Sequence, residues 1–266
     1  MNTKTKSWVN MGVFLLTLVV NSLGAFGFIN GLSQKQVSDT YPTLITPSPA
    51  TFSIWGVIYA LLFISLIFMI VTHKEERTAR LIDTVSVPFW VSSGLNMLWI
   101  VAFSFEWIGI STALILAFVV TLAVLNGRLK TPDGIGQKVN AMAFGLYNGW
   151  LIIATVVNVS AFLVQLKWTG FGLSADVWAI IILIVSLAVA GLIQWRLRNA
   201  ALTLPLAWAY FGIWQQHQAQ GAYLGQYPAI GWVAIAISAV YVLIAIYVFI
   251  QNGYCLLPKP KAQKQA

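Results

Sequence analysis

The chain has 266 residues, of which 59% are hydrophobic and 8% charged, with 15 Lys and Arg against 7 Asp and Glu. A soluble domain carries about 25% charged residues, so this composition, with a mean hydropathy of +0.82, excludes an ordinary water-soluble globule. The net charge of +8 reads as membrane topology rather than as a nucleic-acid surface, and the single cysteine, Cys255, excludes an internal disulfide and a thiolate metal site.

Eight apolar runs follow in chain order, near residues 8–30, 51–71, 86–104, 108–126, 140–163, 177–195, 201–217 and 229–250. Each is about as long as the ~20 residues that cross a ~30 Å hydrocarbon core at 1.5 Å per residue, and such runs satisfy their backbone in lipid only as helices. The first follows Lys4 and Lys6 but is too long for a signal-peptide core and lacks a small-x-small cleavage site, so it reads as a retained span. Residues 31–50 form the long first loop, where Tyr41, Pro42, Pro47 and Pro49 favour extended or turn backbone. It reads as a structured, non-helical lid, with a plain connector as the alternative.

The gaps between runs hold 2, 1, 3, 0, 3, 1, 2, 0 and 3 basic residues, so odd-numbered gaps collect 13 of the 15. Cytoplasmic loops retain Lys and Arg. The bias predicts an even span count, both termini in the cytoplasm and residues 31–50 outside, in a multi-pass protein of the cell membrane. The expected fold is all-α: a polytopic membrane helix bundle of eight transmembrane helices. Residues 1–163 would form a five-helix unit, 164–253 three additional spans, and 254–266 a cytoplasmic tail.

No Lys, Arg, Asp, Glu or His lies at the middle of any run. Charged relays for pumps need such groups, and a retinal protein needs a mid-membrane lysine. Neither a metal-ligand cluster nor a Ser-His-Asp set is visible. The sequence therefore points away from an enzyme, with no catalytic residue, no metal and no resident cofactor.

Polar and aromatic residues instead share helix faces. Tyr147, Trp150, Ala154 and Asn158 form one stripe of the fifth run, while Gly145 and Gly149 lie towards its other side as a G-x-x-x-G for close helix approach. Asn96, Trp99 and Phe103 repeat the design in the third run, Phe52, Trp55 and Tyr59 share a face of the second, and the first offers Asn21. Each stripe alone is compatible with helix packing, with Asn joining helices. Taken with the predicted topology, these residues gather in the outer half of the bilayer beneath the first loop. That gathering fits a ligand pocket lined by rings and a few amides. Trp208, Phe211 and Trp214 in the seventh run could supply a further wall.

Trp55-x₃-Tyr59 after a Pro-rich loop, Asn96-x₂-Trp99-x₃-Phe103 and Tyr147-x₂-Trp150-x₃-Ala154-x₃-Asn158 resemble the TspO/MBR family over residues 8–163. These are the tryptophan-rich sensory proteins, related to the mitochondrial translocator protein or peripheral benzodiazepine receptor. The chain departs from that pattern in a loop without tryptophan, Thr46-Pro47-Ser48-Pro49, and in Phe52 standing three residues before Trp55. The resemblance implies a five-helix membrane unit with a hydrophobic-ligand site under the first loop, for porphyrins and haem, sterols or benzodiazepine-type compounds. The residues carried over are Trp55, Tyr59, Asn96, Trp99, Phe103, Tyr147, Trp150, Ala154 and Asn158, joined by Asn21 from its depth.

The function expected is binding, sensing or translocating a flat hydrophobic molecule, with Asn21, Asn96 and Asn158 holding its polar edge. A facilitative permease for a neutral solute and a structural membrane subunit are the alternatives. The partners expected are the small molecule and membrane lipid, without nucleic acid; a homodimer is an open option.

Overall fold

In a computed structural model, which describes residues 1–129 and 134–258, the chain forms nine α-helices among the described residues. They are α1 (Thr3–Ala25), α2 (Gln34–Thr40), α3 (Ile54–Val71), α4 (Glu76–Ser104), α5 (Ile108–Arg128), α6 (Ile135–Gln165), α7 (Ala175–Leu197), α8 (Leu204–Gln218) and α9 (Pro228–Gln251). Seven apolar segments of the described chain are long enough to cross a membrane, on α1, α3, α4, α5, α6, α7 and α9. This is an all-α, multi-pass membrane bundle. The segment 259–266 of the expected tail lies outside the described residues.

Helix ends follow capping chemistry more closely than hydropathy. The Asn2 side chain accepts from Thr5 N at 2.8 Å, which starts α1 at Thr3 rather than at the apolar boundary. α4 is 29 residues, about 44 Å, longer than the hydrocarbon core. Its charged first turns carry the Glu76–Arg80 ion pair and Asp83, which Lys6 of α1 meets at 2.7 Å. α6, at 31 residues, is the most buried span and packs against α3, α5, α7 and α8.

The run at 201–217 differs from its expected form. α8 has 15 residues, about 22 Å, too few to cross alone. The buried, non-helical segment 199–203 completes the passage. Asn252 donates to Arg198 O at 2.8 Å at the C-terminal end of α9, and Thr203 donates to Tyr241 O at 3.0 Å partway along it. Ser238 donates to Ala207 O at 2.8 Å, and the rings of His217 and Tyr227 meet at 6.3 Å at the other end. This segment and α8 together therefore run the full length of α9 and count as an eighth crossing.

Irregular backbone in a bilayer needs protein partners. Asn199 supplies several: its Oδ1 accepts from Ala201 N at 3.0 Å, and its Nδ2 donates to Ala141 O at 2.8 Å and to Asn126 Oδ1 at 3.2 Å. The G-x-x-x-G face of α6 receives this segment. A Cβ at Gly149 would stand 1.9 Å from Leu202 O, and one at Gly145 2.7 Å from Asn199 Nδ2. The motif thus serves close approach inside the chain, which leaves it unavailable for recruiting another subunit.

The first loop, expected to be structured but non-helical, carries a short helix and a helical turn. Ser33 and Gln36 form a reciprocal capping box that starts α2, and a 3-10 turn at Pro49–Ser53 leads into α3. The contacts of this loop with Glu106, Gln165 and His217 put residues 31–50, 105–107, 166–174 and 219–227 on one face of the bundle.

Candidate functional site

A cavity of about 420 Å³ lies beneath the first loop, between α3, α4 and α6. Six of the ten expected residues line it: Trp55, Trp99, Phe103, Trp150, Ala154 and Asn158. The other four, Asn21, Tyr59, Asn96 and Tyr147, sit beside it and brace its walls.

Two hydrogen-bond chains hold the walls in place. In the first, Asn21 of α1 donates to Asn96 Oδ1 of α4 at 2.9 Å, and Asn96 donates to the Tyr147 hydroxyl of α6 at 2.8 Å. In the second, Trp99 Nε1 of α4 donates to Asn158 Oδ1 of α6 at 2.9 Å, while Asn158 Nδ2 donates to Ser111 Oγ at 3.1 Å and Thr112 Oγ1 at 2.8 Å on α5. The amides expected to hold a ligand's polar edge are thus engaged between helices. Their shared depth reflects a bracing layer as much as a pocket lining.

The rings form a corner. Trp55 stacks on Tyr59 with centroids 5.2 Å apart and meets Trp150 edge-on at 6.1 Å. Phe52 meets Trp150 edge-on at 5.7 Å, and Trp99 packs on Phe103 at 5.8 Å. Such edge-to-face contacts contribute about 0.5–1.5 kcal/mol each beyond area burial and fix ring planes. Trp150 is 2% exposed, yet its Nε1–H has no hydrogen-bond partner in the protein. A buried donor without an acceptor costs about 1–3 kcal/mol. Of the two indole donors that α4 and α6 bring to the cavity, Trp99 is satisfied by the protein and Trp150 is not.

The roof comes from the first loop, where Tyr41, Pro47 and Pro49 of the expected lid are joined by α2 residues that the sequence did not single out. Gln34, Lys35, Ser38, Asp39 and Tyr41 of the α2 region and Thr46, Pro47 and Pro49 after it line the cavity from above. Two sets of bonds fasten it. On one side the Tyr41 hydroxyl donates to Glu106 Oε2 at 3.2 Å, and Gln165 Nε2 donates to Tyr41 at 3.3 Å and to Glu106 O at 3.2 Å.

On the other side the roof is held by α8. Ser48 N donates to Gly212 O at 3.0 Å, Ser48 Oγ to Gln215 Oε1 at 3.1 Å, and Trp208 Nε1 to Thr51 O at 2.9 Å. His217 Nε2 contacts Leu44 O at 2.9 Å; a carbonyl only accepts, so Nε2 carries the proton. A Cβ at Gly212 would lie 2.0 Å from Thr51 Oγ1. The aromatic stripe of α8, expected as a cavity wall, is not one: its Trp208 anchors the roof, its Trp214 lies beside Gly231 of α9, and only Gln216 of that helix reaches the lining. The S-x-x-Q capping box at 33–36 was the available sequence signal for the roof helix; the α8 contacts had none.

Among the described residues, no group of three or more His, Cys, Asp or Glu gathers to hold a metal ion. The lining offers rings and aliphatic surface, with Gln34, Lys35, Ser38, Asp39 and Gln216 towards the roof, a chemistry of non-covalent recognition.

A family model described as TSPO-like protein matches residues 7–247. The chain belongs to the TSPO-like family. The match continues past residue 163, where the motif resemblance stops, and so takes in α7, α8 and most of α9. The TSPO-like bundle here therefore includes the helix that anchors the roof. Comparison with the curated proteins and with the solved structures gives no match.

Proposed function

We propose that this TSPO-like membrane protein binds, and through binding senses or translocates, a flat hydrophobic small molecule such as a porphyrin, haem or a sterol-like compound. The observation that carries this reading is the ring-lined 420 Å³ cavity beneath the first loop, with Trp150, whose indole donor has no protein partner, in its wall. That volume falls within the ~300–1,000 Å³ typical of small-molecule sites. Stacking on Trp55, Trp99 and Phe103 suits a planar ligand, and the Trp150 Nε1–H suits an acceptor on its edge, a propionate carboxylate above all. The protein works here without catalysis and without a resident cofactor; a porphyrin or haem is cargo or signal.

The charge alternation supports placing the protein in the cell membrane with both termini cytoplasmic and the cavity roof outside. Titration of the purified chain with haemin, protoporphyrin IX and a sterol, followed by tryptophan quenching, tests the reading. Saturable binding of at least one is expected. Only linear, non-saturable quenching by all three would remove it.

A facilitative permease for a neutral solute is the second reading. It is favoured by the side-chain amides of Asn148 on α6 and Gln194 on α7, which are buried without hydrogen-bond partners. Flux of a neutral solute into proteoliposomes, without saturable quenching by any planar ligand, would favour it.

A further inference from the structure

A second concavity, about 290 Å³, lies on the other side of α6, between it and α7. Ile152, Val159 and Leu163 of α6 and Trp178, Ile182 and Val189 of α7 form most of its surface. Its hydroxyls are already committed: Thr155 donates to Leu151 O at 2.7 Å, Ser160 to Val156 O at 3.0 Å, and Ser186 accepts from Tyr210 at 3.0 Å. The groove therefore presents apolar surface and no polar group in need of a partner. From Ile152 to Leu163 the α6 side is about 16 Å long, close to half of a ~30 Å hydrocarbon core. It covers one leaflet, the one beneath the first-loop face.

The groove opens at the 166–174 loop. There Trp168 packs on Trp178 at 4.7 Å, and Trp178 Nε1 donates to Gly170 O at 2.6 Å, which fixes the indole at the mouth. Phe171 is 84% exposed and Leu166 59% exposed, an apolar display that belongs at a membrane interface. Lys167 stands exposed between them, and no ion pair involves it among the described residues. The other lysine on this face, Lys35, is paired with Asp39 at 2.5 Å. In order from water inward the chain thus offers a free cation, interfacial indoles and a leaflet-long apolar slot.

We infer that the α6–α7 groove binds one acyl chain of an anionic phospholipid from the first-loop leaflet, with the headgroup phosphate at Lys167. The order of features matches the lipid's own order of anionic head, interfacial backbone and hydrocarbon tail. This site uses a different face of α6 from Ala154 and Asn158, so it stands apart from the cavity under the loop.

Native mass spectrometry of the full chain, released from micelles holding equal dioleoyl-phosphatidylglycerol and dioleoyl-phosphatidylcholine, tests the site. The chain should retain one lipid, with about fivefold preference for the glycerol headgroup, the effect of a single lysine at an anionic surface. Lys167→Gln should bring that preference to parity while a lipid is still retained, and Lys35→Gln should leave it unchanged. Val159→Phe, which fills the slot, should lose lipid of either kind, and Val189→Phe repeats the test from the α7 side should the first variant fail to fold. Equal retention of the two lipids by the unaltered chain would overturn the proposal. So would equal effects of the two lysine changes, lipid retained by both slot-filling variants, or a second protein copy occupying the groove.

Discussion

Trp99 and Trp150 line the same cavity, but their indole N–H groups have opposite fates, and paired Trp→Phe substitutions separate them. Trp99→Phe removes the 2.9 Å bond to Asn158 Oδ1. Interhelical hydrogen bonds in membranes contribute about 0.6 kcal/mol on average and up to about 1.7. Trp150→Phe removes a donor that has no protein partner, so it relieves a cost of about 1–3 kcal/mol while forfeiting part of its edge contacts with Phe52 and Trp55, about 0.5–1.5 kcal/mol each. Thermal unfolding in micelles should therefore show Trp99→Phe destabilised and Trp150→Phe within about 1 kcal/mol of the unaltered chain. Haemin titration by absorbance should show the reverse order. Loss of a hydrogen bond to a carboxylate costs about 1.5–3 kcal/mol, so Trp150→Phe should bind haemin at least about tenfold more weakly and a sterol with a smaller change. Equal destabilisation by both changes, with unchanged haemin affinity in Trp150→Phe, would refute a part for the Trp150 donor in ligand binding.

Gly212→Val places side-chain carbons where Thr51 Oγ1 stands 2.0 Å from the Cβ position; amide exchange across 41–53 should rise and ligand dissociation should quicken. Truncation after Val164 should leave a unit that inserts, but with the Ser48, Thr51 and Leu44 anchors to α8 gone it should bind ligand more weakly; full-length affinity would show that α8 does not hold the roof. Failure of that unit to fold would make the eight crossings one cooperative bundle. In a Cys255→Ser background, Thr40→Cys should label from outside intact cells and Lys74→Cys should not; the opposite pattern would invert the orientation.

The crossings were legible because each apolar run is long and the basic residues alternate between gaps, two signals that check each other. The passage at 199–218 was not readable in its true form. Its backbone inside the bundle is held by Asn199, whose partners Ala141 and Asn126 are distant in sequence. Stripe spacing correctly put Trp99 and Asn158 on inward faces, but spacing gives no partner, and these two residues turn out to bond each other. Asn21 and Asn96 likewise serve the bundle before any ligand. Trp90, whose Nε1 donates to Asn10 Oδ1 at 2.7 Å, is a helix brace of the same kind that no stripe revealed. In the first loop, the prolines drew attention from Ser33 and Gln36, which start α2 and bring Lys35, Ser38 and Asp39 to the cavity.

The claim that the space under the first loop is a ligand site rests on its being fillable, and Ala154 is the place to fill it. Ala154 lines the cavity and is partly exposed to it, so the larger side chain of Ala154→Leu enters existing space rather than packed core. Protoporphyrin IX titrated into the two proteins, followed by tryptophan quenching alongside thermal unfolding, gives the direct comparison. The account predicts saturable binding by the unaltered chain, at least tenfold weaker binding by Ala154→Leu, and unfolding temperatures that agree within a few degrees. Unchanged porphyrin affinity in a stable Ala154→Leu protein would contradict it.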